Sequence, residues 1–180
     1  ETSGWYRYLA RFIVLSEEDS DIRLLDLAME GLGTNEAALI EFLCARPPKR
    51  VRAAKAAWEA RHDASLVDKL DSELSGDFQN LCLTMLKGQR CADDADDEAV
   101  DEGLADEQAQ LLYDKGAGQW GTNEEAFIEL LCGCSAKQNK AIALAYENKY
   151  DRSLAGAIKS EFSKVWEPDL RNALLALLMD

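Results

Sequence analysis

Gly33-Thr34-Asn35-Glu36 recurs as Gly121-Thr122-Asn123-Glu124, and across positions 33–44 against 121–132 nine of twelve residues are identical. Identity at that density marks an internal duplication, and a duplicated unit of this size decides the architecture before any single element is read. Working outward, apolar residues fall at i, i+3, i+4, i+7 and i+8 in Phe78, Leu81, Cys82, Met85 and Leu86, and again in Leu170, Ala173, Leu174, Leu177 and Leu178. That spacing is a helix with one buried face. A third run, Tyr6, Leu9, Ala10, Ile13 and Val14, opens the chain. Similar leaders stand before all three: Glu73-Leu74-Ser75-Gly76, Glu161-Phe162-Ser163 and Glu1-Thr2-Ser3-Gly4. The expectation is a fragment of a longer protein: 1–15 the last helix of a truncated repeat, 16–88 a full copy, 89–105 an acidic linker, and 106–180 a second full copy.

Each full copy reads as five helices. In the first, the pattern predicts helices over 21–29, 35–45, 47–62, 65–74 and 77–87. Pro47 and Pro48 suit a first helical turn, where the missing N–H costs nothing. Thr122 and Glu125 have capping-box spacing, and Thr34 is the matching N-cap in the first copy. No stretch shows convincing period-two alternation, so the fold class is all-α.

With 47% hydrophobic and 30% charged residues over 180 positions, the chain has a globular composition. No apolar run approaches the roughly 20 residues of a membrane-spanning helix, and no secretory leader opens the sequence, so membrane contact is expected to be peripheral. Five cysteines at 44, 82, 91, 132 and 134 fit buried, reduced thiols in a cytosolic protein better than a disulfide framework. The equivalent Cys44 and Cys132 sit on apolar helix faces and should be buried and inert. The net charge of -14 repels nucleic acid and anionic headgroups alike, which argues against unaided binding to either. The basic cluster Lys49, Arg50, Arg52 and Lys55 reads as a solvated helix face rather than a lipid patch. His62, the only histidine, has no evident nucleophile and carboxylate partners, so an enzyme is the last-ranked reading.

Two loops carry the chemistry. Calcium takes six to eight oxygens, commonly backbone carbonyls completed by a carboxylate, and a tight loop turns carbonyls inward when glycine relaxes its φ and ψ. The first loop is Met29-Glu30-Gly31-Leu32-Gly33-Thr34, and Glu73 lies 40 residues after Gly33; Glu161 lies 40 residues after Gly121. A glycine after a helix ordinarily forms a C-cap and a helical glutamate is ordinarily solvated. The duplication, the Gly-x-Gly-Thr form and the matched spacing together favour a binding role. The acidic run from Cys91 to Glu98 offers no EF-hand register with both the glycine and the closing glutamate, and reads as a solvated linker.

Met29-Glu30-Gly31-Leu32-Gly33-Thr34-Asn35-Glu36, with Leu39-Ile40-Glu41 and Ser72-Glu73-Leu74-Ser75-Gly76-Asp77-Phe78, resembles an annexin repeat. The resemblance covers nearly the whole chain outside the acidic linker. It implies five-helix repeats wound as a right-handed superhelix with calcium loops on a convex face, where lipid phosphate completes the ion's coordination. Carried across, the first site uses the carbonyls of Met29, Gly31 and Gly33 with the carboxylate of Glu73. The second loop, 115–122, is similar to the longer loop of the family's third repeat, and implies carbonyls from Gly116, Gln119 and Gly121 with the acid Glu161. Leu32 and Trp120 are the matching membrane-contact residues, tryptophan being favoured at headgroup depth. Three features depart from the family: only two full copies are present where four are usual, four extra residues separate Glu161 from the last helix, and Glu1, which matches the distal acid of a truncated repeat, has no loop to serve and is not a site. The resulting expectation is calcium-dependent, reversible binding to anionic phospholipid by a cytoplasmic protein that becomes peripheral at membranes. The rival is a helical adaptor for a protein partner such as a cytoskeletal one, with weak or vestigial calcium sites.

Overall fold

A computed structural model describes residues 15–31, 33–87, 100–118, 121–163 and 168–179. All of the regular structure among them is helical. The first copy contributes α1 (Glu17–Ala28), α2 (Glu36–Cys44), α3 (Pro48–His62), α4 (Leu66–Glu73) and α5 (Gly76–Leu86). The second contributes α6 (Glu102–Lys115), α7 (Glu124–Gly133), α8 (Ala136–Tyr150), α9 (Leu154–Glu161) and α10 (Pro168–Ala176). The opening apolar run and most of the acidic segment lie outside the described residues.

Local chemistry explains the boundaries. Helix α1 begins a turn earlier than the pattern suggested, because the Ser16 hydroxyl accepts from the Asp19 N–H and Glu17, Glu18 and Asp19 place negative charge on the first turn. Helix α6 begins at Glu102, inside the stretch expected to be linker, with Asp101 as its cap accepting from the Leu104 N–H. Serines cap α4, α8 and α9 in the same way. Both long helices, α3 and α8, stop at an aspartate in the left-handed region, Asp63 at φ 49° and Asp151 at φ 51°. Aspartate tolerates that conformation better than most side chains, so the same stop serves both copies.

The apolar stripes face inward as their spacing requires. Phe78, Leu81, Cys82, Met85 and Leu86 are all buried, as are Leu170, Ala173, Leu174 and Leu177, while Leu178 is half-buried. Cys44 and Cys132 are 5% and 1% exposed, in keeping with their apolar surroundings. The two copies exchange contacts reciprocally: α5 packs on α7, α10 packs on α2, and α5 also meets α10. One hydrophobic cluster therefore runs through both copies, and the last helix of each closes the core of the other.

The basic cluster does not act as one face. Arg50 turns in to Asp21, its Nε 2.5 Å from Oδ2, and Arg46 Nε lies 2.7 Å from Oδ1 of the same carboxylate. Asp21 is 1% exposed, so two guanidinium groups hold a buried acid between α1 and the start of α3. Lys49 and Arg52 remain exposed. His62 also has a packing role: its Nε2 lies 2.9 Å from Asp26 Oδ1, which accepts from Trp58 Nε1 at 2.9 Å as well.

Candidate metal centres

Each loop is tied shut at its base by one backbone bond. In the first copy, Met29 caps α1, its N–H donating to the carbonyls of Leu25 and Asp26. The chain then turns so that the Asn35 N–H donates to the Ala28 carbonyl at 2.8 Å. In the second copy, the Asn123 N–H donates to the Lys115 carbonyl at 2.9 Å, and the Gly118 N–H reaches Tyr113 at 2.7 Å. The tied positions are 35 − 28 = 7 apart in the first loop and 123 − 115 = 8 in the second, so the second loop is longer by one residue.

Gly33 at φ +84° and Gly121 at φ +88° hold equivalent left-handed positions. Nothing lies within 4 Å of a Cβ built on either. Their requirement for glycine is thus conformational rather than spatial. Gly116 is the opposite case: a Cβ there would lie 3.1 Å from Phe127 Cζ and 3.2 Å from the Leu112 carbonyl oxygen. Close packing of the loop base on α7 means that a side chain there would press on Phe127 and the Leu112 carbonyl.

The structure corrects the expected caps. Asn35 and Asn123, not Thr34 and Thr122, are the N-caps, accepting from the Ala38 and Ala126 N–H groups. Asparagine is among the strongest N-cap residues, and its use here leaves the threonine hydroxyls available for other contacts. Thr122 Oγ1 donates to Glu161 Oε2 at 3.2 Å. In the first copy Thr34 Oγ1 donates instead to Glu36 Oε1 at 2.7 Å, while Glu73 pairs with Lys69 at 2.5 Å on its own helix. The extra residues after Glu161 therefore do not carry it away from its loop.

In the first copy the loop end and the distal acid share a cleft of about 280 Å³ whose lining includes Thr34, Glu36, Glu73, Asp77 and Asp169. Asp169 belongs to the second copy and arrives because α10 packs on α2. Burial, reinforced by the charge of Glu36, pushes its carboxyl above the ordinary aspartate range. A cation in the cleft would offset the repulsion between Glu36 and Asp169.

Of the residues singled out in the sequence, Gly31, Gly33 and Gly121 are exposed, Met29 and Gly116 are buried, and Glu73 and Glu161 are half-buried. Leu32, Gln119 and Trp120 lie outside the described residues. Among the described residues no three His, Cys, Asp or Glu side chains converge to hold a metal by themselves. A cation here would depend on loop carbonyls with one or two carboxylates. That donor set is all hard oxygen and suits calcium rather than a thiophilic metal.

Sequence reasoning missed Thr34 and Thr122 as hydroxyl partners of acids, although their identity in both copies was a visible signal. It missed Lys69 and Asp169 for a different reason. Lys69 is replaced by Ala157 in the second copy, and Asp169, the counterpart of Asp77, reaches the first copy's cleft only through packing between copies.

Reciprocally packed helical copies, each pairing a glycine loop with a distant glutamate, define a class of duplicated helical repeat proteins. The chain belongs to the annexin family, whose family profile matches residues 20–85 and 107–177. It is 38% identical to dog annexin A13 over 178 residues, covering 99% of this chain and 54% of that protein. Among solved structures it is similar to annexin III, with a TM-score of 0.86 at 35% identity, covering 98% of this chain and 52% of that one. Chicken annexin V gives a TM-score of 0.83 at 30% identity, covering 99% and 54%. The chain thus spans about half the length of the annexins it matches.

Proposed function

We propose that this chain docks reversibly on membranes rich in anionic phospholipid when calcium is present, without chemical turnover. The observation that carries the reading is the repetition of one arrangement: a loop closed on its own helix, a glycine at positive φ, and a glutamate delivered by a helix end about 40 residues on. The carbonyls of Met29, Gly31 and Gly33 with the Glu73 carboxylate form the first donor set. The carbonyls of Gly116, Gln119 and Gly121 with Glu161 form the second.

A bound calcium ion supplies the positive charge the protein lacks and keeps coordination positions open for lipid phosphate oxygens. The net charge of -14 otherwise repels an anionic surface. Leu32 and Trp120, adjacent in sequence to the loop glycines, supply apolar contact at headgroup depth. Among the described residues no helix is long and apolar enough to cross a membrane, which accords with peripheral attachment. Cytoplasmic residence between docking events completes the proposal.

Calorimetric titration with calcium tests the donor sets. Two binding events are expected, one removed by Glu73→Gln and the other by Glu161→Gln. An unaltered protein that takes up no calcium at millimolar concentration would leave the adaptor reading in its place.

A further inference from the structure

The two candidate donor sets are not equivalent, and the difference lies in what holds each distal acid. Glu161 is bonded to its own loop through Thr122 at 3.2 Å. Glu73 is bonded to Lys69 one turn back on α4 at 2.5 Å, and the first loop's threonine is engaged by Glu36 at 2.7 Å. The position equivalent to Lys69 in the second copy is Ala157, which is 1% exposed and carries no charge to pair with Glu161.

We infer that Lys69 is an intramolecular competitor for the first calcium site: its ammonium occupies the Glu73 carboxylate that the ion would use, and so sets the first loop's affinity below that of the second. The inference rests on the calcium reading above and adds an order of filling to it. Two effects act together. Glu73 must exchange the ammonium for the incoming cation, and the displaced Lys69, 40% exposed on its side chain, remains within reach as a like charge. An i,i+4 pair on a helix surface is weak by itself, so the latch gives way to a divalent ion at sufficient concentration. The second loop fills first, with Glu161 already turned toward it, and the first responds only at higher calcium. One chain then spans a wider range of calcium concentration than two identical sites would.

Calcium titration in a Glu161→Gln background isolates the first loop. There Lys69→Ala should tighten calcium binding by about three- to tenfold, with the gain shrinking as salt is raised. Lys69→Arg, which keeps the charge, should bind as the parent does. Far-ultraviolet circular dichroism should show unchanged helix content, since the substitution places alanine, a strong helix former, at a half-exposed position. Binding that persists, is lost on Glu73→Gln and is unaltered by Lys69→Ala would overturn the latch while leaving the calcium sites standing. Failure of the parent, Glu161→Gln and Lys69→Ala proteins alike to bind calcium would overturn both.

Discussion

Gly33 and Gly121 show how much of the site a single residue type decides. Both hold positive φ with open space where a Cβ would stand, so Gly33→Ala should cost about 1–2 kcal/mol through backbone strain alone. Urea unfolding would measure that loss, and a cost near zero would show that the loop can turn another way. The carboxylates allow a sharper comparison. Glu73→Gln should weaken calcium binding at the first loop at least tenfold, as loss of a charged ligand should cost no less than the roughly 10–100-fold of outer-shell changes. Glu30→Gln should do little, because that exposed side chain lies 3.8 Å from Arg23 and belongs to neither donor set. Equal losses by calorimetry would count against the assignment. At this scale the glycines and glutamates were legible because their spacing repeats. The threonines were misread as caps because Thr and Asn stand side by side and both are competent, and only the folded loop shows which one turns to the helix.

Helices were legible through their apolar stripes, and their ends shifted where capping chemistry outweighed periodicity, as at Ser16 and Asp101. What the stripes did not reveal is how differently the two copies solve one packing problem. The Asp21, Arg46 and Arg50 triad of the first copy is replaced at the equivalent positions by Gln108, Cys134 and Gln138. There Gln108 Nε2 donates to Cys134 Sγ at 3.2 Å, and Gln138 bonds the Asp101 backbone and the Gln108 side chain. Removing one partner from a buried ionic set leaves uncompensated charge. Asp21→Asn is therefore expected to destabilise the protein by about 3 kcal/mol. Replacing all three by the residues of the second copy, Asp21→Gln with Arg46→Cys and Arg50→Gln, should cost less than that single change. Denaturant midpoints would decide, and a triple variant clearly weaker than Asp21→Asn would show that the charges contribute net stability.

Across the whole molecule, the reciprocal packing of α5 on α7 and α10 on α2 joins the copies through one hydrophobic cluster and brings Asp169 beside Glu36. No spacing rule within one copy exposes such a meeting, which is why the cleft's full charge was not readable from the sequence. With a carboxyl raised above its unfolded value, the ionised form of Asp169 costs the folded state stability. The cost is absent where both states are protonated, near pH 3 or about a unit below the ordinary carboxylate pKa, and is complete above the folded-state pKa. Asp169→Asn should accordingly raise the melting temperature at neutral pH and lose that advantage as the pH falls through the carboxylate range. A variant melting below the parent at neutral pH would mean that the carboxylate's favourable place on the first turn of α10 outweighs the repulsion.

Net charge and paired loops together make the central claim, that calcium turns a repelled protein into a docked one, open to direct measurement. Co-sedimentation with phosphatidylserine-rich vesicles, in chelator and in millimolar calcium, tests it. The protein should stay in the supernatant with chelator, pellet with calcium, pellet far less with neutral vesicles, and return intact to solution when chelator is restored. Equal pelleting on anionic vesicles with and without calcium would contradict the account.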